Sequence, residues 1–125
     1  MINFTLDQNL TGLSVSRWQP ESITINGKEH DFSVILTPQQ VVEWPLSSCE
    51  ELDQERIKQL EEFPADVIII GTGSKQIFPD IALLAPFYQQ GIGVEIMDSY
   101  AACRTFNVLA AENRRPVAGI IVEKS

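Results

Sequence analysis

ADVIIIGTGSKQIFPDIALLAPFYQQGIGVEIMDSYAACRTFNVL, residues 65–109, decides the fold. It opens with the β-branched run Val67, Ile68, Ile69, Ile70 and continues into a glycine loop of Gly71, Thr72, Gly73, Ser74 and Lys75. A segment of helix length follows, then a second short apolar run at residues 94–97, then Asp98 ahead of another helix-length stretch. An apolar run without polar alternation predicts a strand covered on both faces. The β-loop-α-β-α order predicts parallel strands whose carboxyl-end loops lie side by side, at the rim where open α/β sheets form ligand crevices. Residues 71–75 and 98–104 are therefore expected to meet.

Working outward, Pro79 and Asp80 can start a helix that Gly91 closes, with Pro86 inside it predicting a kink. Residues 99–112 predict a helix and residues 116–122 a last strand. The 99–112 helix is apolar on two sides. Ala102, Phe106, Leu109 and Ala110 make one face, while Val108 and Ala111 lie nearly opposite, beside Arg104. Either another layer of the same domain or a partner chain covers the second face. Toward the N-terminus, residues 22–25 and 31–36 flank Asn26-Gly27, a pair that accepts the positive φ angles of a type I′ turn, so a hairpin is expected. Residues 14–18 and 41–44 predict further strands. An acidic, one-sided helix carrying Ile57 and Leu60 should end before Pro64.

These elements predict an α/β fold: a three-layer sandwich with a central mixed, mainly parallel sheet, flanking helices and an N-terminal β-hairpin. A length of 125 residues at 44% hydrophobic content suits one domain over 1–125, mainly β in 1–46 and α/β in 47–125. No apolar run reaches the ~20 residues of a membrane span, and Met1-Ile2-Asn3-Phe4 lacks a signal-peptide layout, so no membrane insertion and a cytoplasmic location are expected. A net charge of −8 repels phosphate backbones, which argues against nucleic acid as a partner. Two cysteines and one histidine cannot supply a zinc site, so no metal is expected.

The rim residues suggest chemistry without completing a motif. Gly71 and Gly73 let backbone N–H groups approach a ligand, Thr72 and Ser74 add hydroxyls, and Lys75 and Arg104 add positive charge, together a candidate site for a small anion. The alternative is a turn that only lets the strand leave the sheet. The loop lacks the spacing of a phosphate-binding P-loop, and Gln76 stands where a dinucleotide fingerprint needs its third glycine, so no cofactor is implied. Asp98 fits a helix N-cap better than a catalytic acid, and Arg104 can pair with it or with a neighbouring glutamate. Cys103, near a helix N-terminus, invites a reactive-thiol reading, but His30 is remote in the predicted hairpin and a core thiol is the simpler assignment. No catalytic residue is assigned.

ADVIIIGTGSKQIFPD at 65–80 and GIGVEIMDSYAACRTFNVLAAENRRPVAGII at 91–121 resemble the signature segments of the domain of unknown function 498 family. The resemblance implies a three-layer fold with a central mixed sheet and, from the mitochondrial members linked to NADH dehydrogenase, a non-enzymatic assembly role. The expected function is a non-catalytic, assembly-factor-like protein that binds another protein or itself as a homodimer. Two alternatives remain: a small-anion-binding enzyme or sensor using the glycine-loop rim, and thiol chemistry at Cys103.

Overall fold

The computed structural model describes residues 12–123. The reading of Met1-Ile2-Asn3-Phe4 lies outside the described residues. Among the described residues eight strands form two sheets. β1 (Val15–Gln19), β2 (Ser22–Ile25) and β3 (Lys28–His30) make an antiparallel sheet in that order. β4 (Val34–Leu36), β5 (Val41–Glu43), β6 (Val67–Gly71), β7 (Gly93–Met97) and β8 (Pro116–Ile120) make a mixed sheet ordered β5-β4-β8-β6-β7. Pairing is parallel across β7-β6-β8 and antiparallel across β8-β4-β5. The helices are α1 (Gln54–Glu61), α2 (Ala85–Gln89) and α3 (Ser99–Ala111), with 3-10 turns at Cys49–Glu51 and Ile81–Leu84.

The alternation of side chains along β6 and β8 divides the core in two. Ile68, Ile70 and Val117 face a cluster with Trp44, Ile57, Leu60 and Phe87, under α1 and α2. Ile69, Ala118 and Ile120 face Ala102 and Phe106 of α3 together with Val15, Ile23 and Ile25 of the small sheet. The result is three layers, as expected: α1 and α2, the mixed sheet, then α3 with the three-stranded sheet. Every residue of β6 and β8 is buried, which explains why their apolar runs show no polar alternation.

Local chemistry sets the element ends. The Asp53 side chain accepts from Arg56 N at 3.0 Å and caps α1, which buries Ile57 and Leu60 on one face. Asn26 and Gly27 take φ values of 48° and 82°, the mirror-image turn that asparagine tolerates and glycine, lacking a Cβ, adopts freely. The return strand differs from expectation, because β3 covers only residues 28–30 and the apolar residues 34–36 pair with β8. Val34, Ile35 and Leu36 are all buried there, whereas a surface hairpin would have left alternate ones in water. Pro86 kinks nothing. It stands in the first turn of α2, where its missing N–H is not needed, and the stretch before it is a separate 3-10 turn. Among the described residues no helix is long and apolar enough to cross a membrane.

Gly119 shows how tightly the first core half is packed. A Cβ there would lie 2.6 Å from Trp44 Cζ3 and 3.1 Å from Leu60 Cδ2, whereas a Cβ on Gly93 meets nothing within 4 Å. Gly119→Ala should cost about 1–3 kcal/mol by overpacking, and Gly93→Ala should stay within about 0.5 kcal/mol of the parent. Urea unfolding of the two variants side by side measures this, and equal midpoints would contradict the packing account.

Candidate functional site at the glycine-loop rim

Parallel pairing of β6 with β7 brings the glycine loop against the start of α3. Thr72 N donates to Met97 O at 2.9 Å, and Ser99 N donates to Gly73 O at 2.8 Å. The Ser99 hydroxyl accepts from Gly73 N at 2.8 Å and donates to Ile121 O at 2.8 Å, fully buried. One hydroxyl thus ties the glycine loop and the end of β8 to α3. Gly71 leaves no room for a side chain, since a Cβ would stand 2.9 Å from Ala102 Cβ and Ser99 Cα. The Thr72 hydroxyl donates to Lys75 O and accepts from Ile77 N at 3.1 Å, which curls the loop back on itself.

The loop holds a carboxylate, and it is the chain's own. Glu123 Oε2 accepts from Ser74 N at 2.8 Å, and Oε1 accepts from the Ser74 hydroxyl at 2.7 Å. Gly73, at φ +100°, lies directly beneath that carboxylate; a Cβ there would come within 2.3 Å of Glu123 Oε2. The amides of Gly73 and Ser74 are therefore both engaged within the chain.

Of the residues singled out from sequence, Gly71, Thr72, Gly73, Ser74 and Asp98 do gather at the rim. Asp98 caps α3 by accepting from Ala101 N at 2.9 Å. Lys75 and Arg104 are both exposed, and among the described residues neither forms an ion pair. The expected Arg104–Asp98 pair is absent; the guanidinium lies 5.8 Å over the Tyr100 ring instead. Ser99 and Glu123, the two residues that close the loop, were not among the sequence candidates. On α3, Val108 and Ala111 remain exposed, so among the described residues no layer covers the second apolar face.

Cys103 departs from the reactive-thiol reading. Burial, and secondly the charge of Asp98, push its thiol up to about 12, outweighing any help from the helix N-terminus. Cys49 is buried too, and desolvation raises its thiol above the ordinary value. His30 lies 5.3 Å from Phe32 in an open cleft of about 670 Å3 along β3, which shares no residue with the rim. The apolar surface near the rim is more pronounced. Phe78 and Ile81 are 73% and 72% exposed, with Ile77, Tyr88 and Tyr100 also open to water.

The family model described as protein of unknown function (DUF498/DUF598) matches residues 15–121. NADH dehydrogenase (ubiquinone) 1 alpha subcomplex assembly factor 3 of Rattus norvegicus is 33% identical over 109 residues, 86% of this chain and 59% of that protein. The chain thus spans somewhat less than two thirds of that relative. The 13 kDa major membrane protein of Francisella tularensis subsp. holarctica is 30% identical over 100 residues, 78% of this chain and 80% of that protein. A crystal structure of a Bordetella parapertussis protein aligns with TM-score 0.83 at 27% identity, covering 89% of this chain and 96% of that one.

Ser99→Ala should cost about 1–3 kcal/mol, because it strands the buried Gly73 N–H and Ile121 carbonyl, and Glu123→Gln should cost less at its partly exposed site. Chemical denaturation of both variants tests the order. Between the ordinary thiol value of 9.0 and about 12, the unfolded chain loses a Cys103 proton that the folded chain keeps. Stability should therefore fall as pH rises through that window, and Cys103→Ala should flatten the slope in pH-dependent unfolding.

Proposed function

The chain belongs to the family of proteins of unknown function DUF498/DUF598, and from that premise we propose that it is a non-catalytic, assembly-factor-like protein acting through protein–protein contacts. One observation carries the reading. The Gly73 amide and the Ser74 amide and hydroxyl are already engaged by Ser99 and Glu123, while Phe78 and Ile81 next to that loop lie open to water. Exposed aromatic and aliphatic side chains grouped on a protein surface are the usual signature of a docking surface. The relatives named as assembly factors support the same class of action. Two buried free thiols fit a reducing compartment, in keeping with the cytoplasmic location expected from sequence.

The small-anion reading stands second, and one observation favours it: the Ser74 amide and hydroxyl hold a carboxylate well. In that reading an incoming anion displaces Glu123 and is approached by Lys75 and Arg104. Thermal melting of Glu123→Ala with acetate or phosphate separates the two, since a ligand that binds the folded state raises the melting temperature by mass action. A rise would favour the anion site over the docking surface.

Phe78→Ser combined with Ile81→Ser should leave stability within about 0.5 kcal/mol per site, because both side chains are exposed, yet should abolish partner capture. Affinity capture from extract with parent and variant baits measures this. Identical captured sets from a folded variant would overturn the docking assignment.

A further inference from the structure

Among the described residues the mixed sheet ends at β7, and no strand pairs with its far side. Successive backbone groups along a strand point to opposite sides. The Met97 carbonyl accepts from Thr72 N on the β6 side, whereas the Ile96 carbonyl accepts from the Gln76 side-chain amide at 3.0 Å. By that alternation the backbones of Gly93, Glu95 and Met97 ladder with β6, and those of Val94 and Ile96 turn outward. Gln76 occupies only the Ile96 carbonyl, leaving the Val94 N–H, the Val94 carbonyl and the Ile96 N–H without a partner among the described residues. The fold treats its other sheet differently. The Asn107 amide accepts from Val15 N at 2.9 Å and donates to Val15 O at 2.8 Å, so α3 occupies both backbone groups at the first residue of β1.

The two faces beside this open edge differ chemically. Val94 and Ile96 pack toward the core under α2, where exposed Tyr88 lies, and the Gln76 bond holds Ile77 and Phe78 at the same end. The opposite face presents exposed Glu95 next to Gly93, with open space above the glycine. We propose that β7 is a docking edge for an extended segment of a partner protein, added as a further strand. Its apolar side chains lie on the face of Val94 and Ile96, and a lysine or arginine stands opposite Glu95. The proposal rests on the protein-binding reading above and specifies the kind of partner. Main-chain hydrogen bonds give such strand addition its affinity, and alternate side chains give its selectivity. A second copy of this chain fits less well. Antiparallel self-pairing of this five-residue strand centres on Glu95, setting carboxylate against carboxylate on two chains of net charge −8.

The test uses two synthetic nine-residue peptides, one alternating valine with lysine and the other valine with glutamate. Calorimetry measures affinity, and amide exchange followed by NMR reads Val94 and Ile96. The lysine peptide should bind about tenfold or more tightly than the glutamate peptide and protect both amides, and Glu95→Lys should reverse the order. Val94→Pro removes an outward N–H without interrupting the ladder to β6, so it should abolish binding. An N-methylated lysine peptide gives the same discrimination on the parent chain should that variant fail to fold. Equal affinity for both peptides, unprotected amides, or undiminished binding of the methylated peptide would overturn the proposal. So would a concentration-dependent dimer lost in Val94→Pro, which would assign the edge to a second copy. If Val94→Pro still captures what the Phe78/Ile81 variant loses, strand addition fails alone; if neither variant loses capture, the protein-binding reading fails with it.

Discussion

The constraint on which the molecule depends is the parallel hydrogen bonding of β6 to strands on both sides, with all five of its residues buried. A strand in that position has no backbone group left for water and no face left for polar side chains, so its neighbours must supply both bonds and cover. Burial of Ile68, Ile69 and Ile70 contributes about 1.5–3 kcal/mol each, which makes the β7-β6-β8 core the least negotiable part of the chain. Parallel neighbours also oblige the chain to cross over between strands. The crossovers bring α2 and α3 onto opposite faces, and they deliver the glycine loop, the N-terminus of α3 and the end of β8 to one rim.

The same convergence explains why the loop closes on itself. Glycine-loop amides beside a helix start would attract an anion, and on a chain of net charge −8 a free anion approaches against the overall field. Glu123 meets no such barrier, because it is tethered a few residues beyond β8 and its backbone N–H is fixed to Pro20 O. Its effective concentration at Ser74 is set by the chain, so any external carboxylate competes with an intramolecular one. The loop geometry suits a carboxylate, and the fold supplies it.

How much of this was legible in the sequence follows from the range of the interactions involved. The strand at residues 67–70, the turn at Asn26-Gly27 and the Asp98 cap rest on neighbouring residues, and local pattern reveals such features. The return strand of the hairpin did not, because residues 31–36 have the composition of either a surface strand or a core strand. The choice is made by contacts far along the chain, such as Val122 N donating to the Ser33 hydroxyl across 89 positions. Pro86 was misjudged for a related reason: a proline forbids a helix interior but suits a first turn, and only the separate 3-10 turn before it decides which applies. Ser99 and Glu123 were invisible as site residues. Their bonds to Gly73, Ile121 and Ser74 span 26, 22 and 49 positions, and a serine after a cap or a glutamate after a strand carries no local mark.

Sheet edges complete the physical picture, since unpaired strands invite unwanted association and folds manage them one by one. β5 is kept to three residues, and the first residue of β1 is occupied by the Asn107 amide. β7 has five residues and one side-chain plug, but it carries Glu95 at its centre. A charge in that position discourages like chains while leaving the outward Val94 N–H, Val94 carbonyl and Ile96 N–H unoccupied among the described residues. Had the fold only needed protection, a second amide like Asn107 or a proline at Val94 would have served without disturbing the ladder to β6. The combination of an unfilled ladder, a discriminating charge and exposed apolar residues along one side is therefore the one that the proposed strand addition requires, with Glu95 disfavouring antiparallel self-pairing.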